Sequence, residues 1–297
     1  MKHLTRIAAA LAATAIAAPA LAADLPARKA APAMVAVDPP SWTGFYAGVN
    51  LGYQFRAGST GTGALPGFFA PTWDTEMAAS MALASAPYSG GKSGSFIGGG
   101  QIGYNIQWLG PLVAGLEADI QGLAGGGNGG GVSGGALIPA AFPGETIVSN
   151  STASARVDWL GTLRGRFGYV LTPSLMAYAT AGLAYGGVRS SASIMQVNLP
   201  FGGAPFTAIS TGATSGTRLG FAVGGGAEWK FMRNLGLKLE YLYYDLRSST
   251  QAMTPLVFAG PPYGDLPFQR THYAGHIVRA GLNYHFDFGG APVVAKY

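Results

Sequence analysis

Apolar and polar residues alternate with a period of two along most of the chain from Trp42 onward. Over 42–56, large apolar side chains such as Phe45 and Phe55 occupy odd positions, and small or polar residues occupy even ones. Because successive side chains of a strand point to opposite faces, this alternation predicts a long β-strand. The same alternation predicts seven further strands, over 95–108, 112–124, 155–171, 175–188, 217–231, 235–246 and 272–286.

The connections between these strands alternate in length. Short turns centre on 109–111, 172–174 and 232–234. The other joins are long and rich in Gly, Ser, Thr and Pro, and they cover 57–94, 125–154, 189–216 and 247–271. This arrangement predicts an all-β fold, an eight-stranded antiparallel up-and-down transmembrane barrel with short periplasmic turns and four long extracellular loops.

The two faces of the predicted strands distinguish a membrane barrel from a soluble one. Charged residues share a face with Gly and small polar residues, whereas the opposite face is almost uniformly apolar. A soluble eight-stranded barrel such as a lipocalin would place its large apolar side chains inside. Aromatic residues also mark both ends of the apolar face, as Trp108 and Trp159 illustrate. Two such girdles are typical of membrane–water interfaces, so we predict a location in the outer membrane of a Gram-negative cell.

Charged residues on the inward face form the candidate site. The predicted interior charges are Glu117, Asp119, Arg156, Asp158, Arg164, Arg166, Arg218, Glu228, Lys230, Lys238, Glu240 and Arg279. The interior of an eight-stranded barrel is just wide enough for side chains to fill it. Two hypotheses stay open: the charges pair and plug the barrel, which we favour, or they line a charged pore.

The tight turns predict which of these charges lie at the same height. The turn at 232–234 places Glu228 opposite Lys238 in an antiparallel hairpin. By the same register Glu240 can reach Arg279 on the last strand. The turn at 109–111 brings Glu117 and Asp119 to the height of Arg164 and Arg166.

The N-terminal segment has the features of a secretory signal peptide. Lys2 and Arg6 precede a short Ala-rich apolar stretch, and Ala20 and Ala22 supply the small-residue cleavage pattern. We expect cleavage after Ala22, followed by a Pro-rich linker in the periplasm. The predicted organisation is a signal peptide (1–22), a linker (23–41), the barrel (42–286) and a C-terminal tail (287–297).

Composition and charge narrow the classes of function. The net charge of +5 is spread without any run of Lys or Arg, so nucleic acid is not an expected partner. The chain has no Cys, which excludes disulfides, thiol nucleophiles and Cys-ligated metals. The three His residues beyond the signal peptide lack evident Ser and acid partners. We predict no enzymatic activity, no cofactor and no metal.

Several motifs resemble those of a known family. They are Ala23–Pro26, Trp42–Gly48, Phe96–Tyr104, Leu163–Tyr169 and Glu240–Asp245. These runs are similar to small alphaproteobacterial outer-membrane barrels of the RopB type, often labelled outer-membrane immunogenic or porin family proteins. The resemblance implies an OmpA-like eight-stranded barrel and says little about activity.

The run 279–286 resembles the C-terminal assembly signal of such barrels. Arg279, Gly281, Tyr284 and Phe286 stand at the positions of that pattern. The resemblance implies recognition by the barrel-assembly machinery. Family barrels commonly stop at the last aromatic residue, whereas this chain continues to Tyr297.

These observations predict a structural and surface role in the envelope, with outer-membrane lipid and lipopolysaccharide as surroundings. A porin for small solutes is one alternative. A surface receptor or adhesin is another, and its unidentified extracellular ligand would bind through the long loops. The aromatic residues that would serve such a receptor are Phe68, Phe69, Trp73, Phe201, Phe206, Phe258 and Tyr263.

Overall fold

A computed structural model describes residues 41–65, 94–124, 137–139, 146–199, 202–257 and 264–286. The strands in this part of the chain are β1 (Gly44–Arg56), β2 (Thr60–Leu65), β3 (Gly94–Trp108), β4 (Leu112–Ala124), β5 (Leu137–Pro139), β6 (Thr146–Thr172), β7 (Leu175–Leu199), β8 (Phe206–Lys230), β9 (Leu235–Ala252), β10 (Leu256–Val257) and β11 (Gly264–His285). None of the described residues belongs to a helix long and apolar enough to cross a membrane. The predicted signal peptide, nearly all of the linker and the C-terminal tail lie outside the described residues.

Eight of these strands close into an antiparallel ring. Their order is β1-β3-β4-β6-β7-β8-β9-β11, and β11 pairs back with β1, where Val49 stands opposite Leu282. The predicted all-β class and the eight-stranded up-and-down barrel are therefore confirmed. Closure matters because lipid offers no partner for backbone N–H and C=O groups, so a spanning sheet cannot leave an open edge.

The outward face of the ring is apolar, as the alternation predicts. Leu51, Phe96 and Leu219 are 73%, 71% and 70% exposed. Aromatic pairs border this apolar surface at both ends. Phe45 packs on Tyr104 near the short turns, with ring centroids 4.5 Å apart, and Trp159 packs on Tyr185 at the other end, at 5.9 Å. A continuous apolar surface between two aromatic girdles suits the hydrocarbon core of a bilayer.

Several strands run far beyond the predicted boundaries. β6, β7 and β8 contain 27, 25 and 25 residues. They occupy 146–154 and most of 189–216, which the sequence analysis assigned to loops. The predicted extent of these loops is therefore wrong. Outside the membrane the same strands continue, with hydroxyl-bearing residues such as Thr152 and Thr211 pointing outward.

The extended parts of the strands form a sandwich above the ring, at the end opposite the short turns. Here β8 pairs with β9 only as far as Phe221 and Asp245, so the wall separates into two sheets. One sheet contains the upper parts of β6, β7 and β8, and the other contains β2, β10 and the upper parts of β9 and β11. The two sheets face each other across an apolar cluster of Ala153, Ala192, Ile194, Ala208, Met253 and Leu256.

Two β-bulges lie where the ring meets this sandwich. One falls between Val157 and Trp159 in β6. The other shifts the register of β9 against β11 between His272 and Ala274, beside Arg247 with its φ of 68°. An extra residue in one strand reverses the faces taken by the side chains that follow it. The bulge in β6 therefore changes which residues point outward above the membrane.

Candidate functional site in the barrel interior

A network of buried charges fills the barrel at mid-height. The short turn between β3 and β4 and the pairing of β4 with β6 place Glu117 opposite Arg164. Asp119 and Arg166 lie two residues away on their strands and therefore share the inward face. All four side chains are buried, the most exposed being Asp119 at 4%.

Arg164 bonds three carboxylates at once. Its Nη2 lies 2.6 Å from Glu117 Oε1 and 2.7 Å from Asp119 Oδ2. Its Nη1 lies 3.0 Å from Glu240 Oε1, and its Nε donates to the Thr162 hydroxyl at 2.8 Å. The fixed, diverging N–H groups of a guanidinium allow one side chain to hold several acceptors.

Arg279 and Lys238 complete the centre of the network from the opposite wall. Arg279 Nη2 lies 2.5 Å from Glu240 Oε2 and 2.9 Å from Asp119 Oδ2. Lys238 Nζ lies 3.0 Å from Glu117 Oε1 and donates to Gln101 Oε1 at 2.7 Å. Glu240 stands opposite Arg279 in the β9–β11 ladder, so it reaches Arg279 as predicted from the sequence.

Glu228 and Lys238 are opposite each other in the β8–β9 ladder but take different partners. Glu228 Oε2 lies 2.5 Å from Arg166 Nη2, and its Oε1 lies 2.8 Å from His285 Nε2. The amide of Asn283 also donates to Glu228 Oε1, at 2.8 Å. Glu228 on β8 and Arg166 on β6 stand on either side of β7, and their long side chains meet past that strand. The register is therefore predictable, whereas the ion-pair partners depend on how several strands are arranged.

The network is balanced in charge. Four carboxylates (Glu117, Asp119, Glu228 and Glu240) face four cations (Arg164, Arg166, Lys238 and Arg279). Because each charge is buried against opposite charges, removal of one member leaves others desolvated and unpaired, which is costly. The arrangement suits a plug more than a selective pore, which would present one sign of charge to a hydrated ion.

Apolar layers enclose the network on both sides. Toward the sandwich, the lumen is filled by a cluster that includes Leu160, Leu242, Leu246 and Ile277, together with the rings of Tyr244 and Tyr273. Toward the short turns, Trp42 packs with Val113, Met176 and Tyr178. These layers were not predicted from the sequence. Their signal was the presence of Ile97, Leu160 and Leu242 on a face that was otherwise small or polar.

Trp42 lies across the periplasmic end of the lumen. Its backbone N–H donates to Gln107 Oε1 at 3.1 Å, and its ring meets that of His285 edge-on, with centroids 5.8 Å apart. Lys230 Nζ lies 4.4 Å from the Trp42 ring centroid and donates to the Ser41 carbonyl at 2.8 Å. Lys230 is therefore an interior charge, as predicted, but it belongs to this periplasmic layer.

Three other predicted interior charges lie away from the network. Arg218 is half-buried at the extracellular end, where its Nη2 donates to the Ser249 hydroxyl. Arg156 and Asp158 form an ion pair of 2.9 Å with side chains 44% and 28% exposed, and they lie on the outer wall. Their predicted interior placement is wrong because the β6 bulge between Val157 and Trp159 reverses the alternation.

The residues of the predicted assembly signal lie on β11 and just after it. Tyr284 and Phe286 face outward with ring centroids 5.1 Å apart, while Arg279 and Gly281 face the lumen. The backbone N–H of Phe286 donates to the Phe45 carbonyl at 2.9 Å and ends the closing seam. A Cβ at Gly281 would lie 3.2 Å from both Gln101 Nε2 and the Val49 carbonyl oxygen, so a larger residue there would require these neighbours to shift. Recognition of this run by the assembly machinery stays a prediction.

The loop aromatics suggested as receptor contacts are only partly described. Phe206 packs against the apolar cluster of the sandwich and so contributes to its core. The other six, namely Phe68, Phe69, Trp73, Phe201, Phe258 and Tyr263, lie outside the described residues.

Comparison with known proteins places the chain among outer-membrane barrels. The family model for the outer membrane protein β-barrel domain matches residues 8–286. The 31 kDa outer-membrane immunogenic protein of Brucella melitensis biotype 1 is 35% identical over 283 residues, which cover 95% of this chain and 98% of that protein. Its counterpart in Brucella suis biovar 1 gives the same values.

Similarity to solved structures is more distant. The outer membrane protein OprG from Pseudomonas aeruginosa aligns over 82% of this chain and 97% of its own, with 8% sequence identity and a TM-score of 0.37. At this distance the alignment adds nothing to the strand pairing described above.

Proposed function

Because this chain belongs to the outer membrane protein β-barrel family, we propose that it serves in the outer membrane as a sealed, structural and surface-exposed barrel. In this role the apolar ring anchors the protein in lipid, and the interior network holds the ring closed. The sandwich formed by the extended strands presents a folded surface to the outside.

The stacked layers of side chains across the lumen carry this proposal. Trp42, Arg164, Arg279, Leu160 and Leu242 are each 1% exposed, and they come from successive heights of the barrel. A hydrated solute would have to displace ion-paired side chains, and breaking one buried pair typically costs ~3–5 kcal/mol. The porin alternative is disfavoured on this ground.

The proposal also excludes a catalytic role for the interior. A general acid, base or nucleophile must reach its substrate, whereas the charged groups here are buried and bond one another. Their arrangement is explained by mutual neutralisation inside the ring.

The surface part of the role rests on the sandwich and on the relatives. The Brucella proteins are named outer-membrane immunogenic proteins, a name that refers to those proteins. For this chain we propose comparable exposure through the upper parts of β6, β7 and β8, whose outward residues include Thr152, Ser191 and Thr211.

Labelling with antibody tests this surface exposure. Antibody raised against folded protein should label intact cells, and labelling only after permeabilisation would contradict the exposure.

Swelling of liposomes tests the sealed interior. Full-length protein refolded into phospholipid vesicles should admit a graded series of sugars no faster than protein-free vesicles, with a general porin in the same lipid as the positive control. Swelling that rises in proportion to the amount of folded protein, and falls with sugar size, would favour the porin.

A further inference from the structure

Two arginines lie side by side on the outer wall, where the barrel leaves the membrane. Arg156 in β6 and Arg189 in β7 are direct partners in the ladder, and their side chains are 44% and 60% exposed. Trp159 and Tyr185, the aromatic pair of the upper girdle, lie on the same two strands closer to the membrane centre. At ~3.4 Å per residue, the arginines stand roughly 10 Å further along the strands than that girdle, on its extracellular side.

Asp158 holds the two guanidinium groups together. Its Oδ1 lies 2.9 Å from Arg156 Nε, and its Oδ2 lies 2.9 Å from Arg189 Nε. Like charges directly opposite each other in a ladder are destabilising. One carboxylate compensates only one of the two cations, so the cluster keeps a positive charge that a bound anion would neutralise.

A groove with hydroxyl groups adjoins the arginines. Its volume is about 430 Å³, and its lining includes both arginines, Ser154, Ser191 and Thr214. The hydroxyl groups of Ser154 and Ser191 lie 2.7 Å apart. Such groups can bond phosphate or sugar oxygens next to the guanidinium groups.

We propose that Arg156, Asp158, Arg189 and the adjoining hydroxyls bind a phosphate group of lipopolysaccharide in the outer leaflet. A guanidinium binds phosphate through two parallel N–H groups, and basic pockets on a membrane protein bind lipid head groups. The position of the arginines beyond the upper girdle also fits a lipid phosphate, because the acyl chains of the lipid would then lie along the apolar band on the other side of the girdle. The inference rests on the outer-membrane location and is independent of whether the interior is sealed.

Binding of purified lipopolysaccharide to full-length protein in nonionic detergent tests the site. We expect the Kd to rise at least tenfold in R156A/R189A, measured by surface plasmon resonance at fixed ionic strength. The matched control is R233A/R270A, which removes the same charge from exposed positions in a periplasmic turn and on β11; its Kd should change less than twofold. R156K/R189K should fall between them, because lysine keeps the charge but loses the planar fork.

The phosphate and its source are tested with two further ligands. Dephosphorylated lipopolysaccharide should bind wild-type protein as weakly as intact lipopolysaccharide binds R156A/R189A, and phosphatidylglycerol micelles should show no arginine-dependent affinity. Unchanged binding in R156A/R189A, an equal loss in the control, or arginine-dependent binding of phosphatidylglycerol would overturn the proposal.

A heat-dependent shift in gel mobility verifies folding of each variant. If the double variant fails this check, Arg189→Ala alone carries the test, since it leaves the Arg156–Asp158 pair in place. Sugar entry into liposomes should be the same for all variants, so failure here is distinguishable from failure of the sealed interior.

Discussion

Arg164 contacts three carboxylates on two strands, so one substitution tests the centre of the interior network. Arg164→Ala leaves Glu117, Asp119 and Glu240 short of a cation in a buried site. We expect the free energy of unfolding to fall by ~3–5 kcal/mol, the usual cost of breaking a buried ion pair. Urea titration of protein refolded in phospholipid vesicles, followed by Trp fluorescence, measures this change.

The matched control is Arg233→Ala in the exposed turn between β8 and β9. A surface substitution of this kind should change the free energy of unfolding by no more than ~0.5 kcal/mol. Equal stabilities for the two variants would mean that water, and not the carboxylates, solvates Arg164.

At the residue scale, the sequence predicts positions in the barrel better than partners. The tight turn between β8 and β9 is enough to place Glu228 opposite Lys238. Glu240 also stands opposite Arg279, as expected from its height on β9, although a long connection joins β9 to β11. The bond from Glu228 to Arg166 spans β7, which lies between β8 and β6, so it depends on how three strands are arranged and on the lengths of both side chains. No pattern along the chain contains that information.

The sandwich is an element with its own apolar core, and Ile194 is fully buried in it. Ile194→Ala creates a cavity between the two sheets. It should destabilise their packing by ~2–5 kcal/mol, the range for replacing a buried Ile by Ala. Because the ring below has a separate core, we expect faster protease cleavage of the extracellular part with the membrane barrel intact. Limited proteolysis of proteoliposomes measures both.

Ile209 on β8 provides the control, since it belongs to the same sheet but is 60% exposed. Ile209→Ala should leave the cleavage rate near that of the wild type. Loss of the whole barrel in Ile194→Ala would show that sandwich and ring unfold as one unit.

The closing strand β11 carries the predicted assembly signal. Phe286→Ala removes an outward aromatic ring next to the β1–β11 seam, where the Phe286 ring meets that of Tyr284 edge-on. We expect less folded protein in outer-membrane fractions from Phe286→Ala than from Tyr297→Ala, judged by the heat-dependent shift in gel mobility. Less folded protein from Tyr297→Ala than from Phe286→Ala would mean that the assembly signal includes Tyr297 and was misassigned to 279–286.

At the scale of elements, the period-two pattern predicts every strand of the ring, because a wall between lipid and a filled lumen requires strict alternation. It fails above the membrane for two physical reasons. The extra residue in the β6 bulge reversed the faces of Arg156 and Asp158. Outside lipid the pattern also inverts, with Ile194 inward and Ser191 outward, so a Ser- and Thr-rich strand resembled a loop.

The whole molecule combines an apolar outer wall with an interior stacked in layers. Trp42 and its neighbours close the periplasmic end, the balanced charges occupy the middle, and the Leu160 cluster closes the extracellular side. Each layer uses side chains from strands on opposite sides of the ring. The interior therefore ties the wall together, and the same contacts obstruct passage through it.

Single-channel recording of refolded wild-type protein in a planar bilayer tests this central claim most directly. Because the layers fill the lumen, we expect no steady conductance above that of the bare bilayer after insertion of folded protein. Insertion is verified independently by protease protection of the membrane-embedded ring. A large, stable conductance step for each inserted molecule would contradict the account and show that the interior is a water-filled pore.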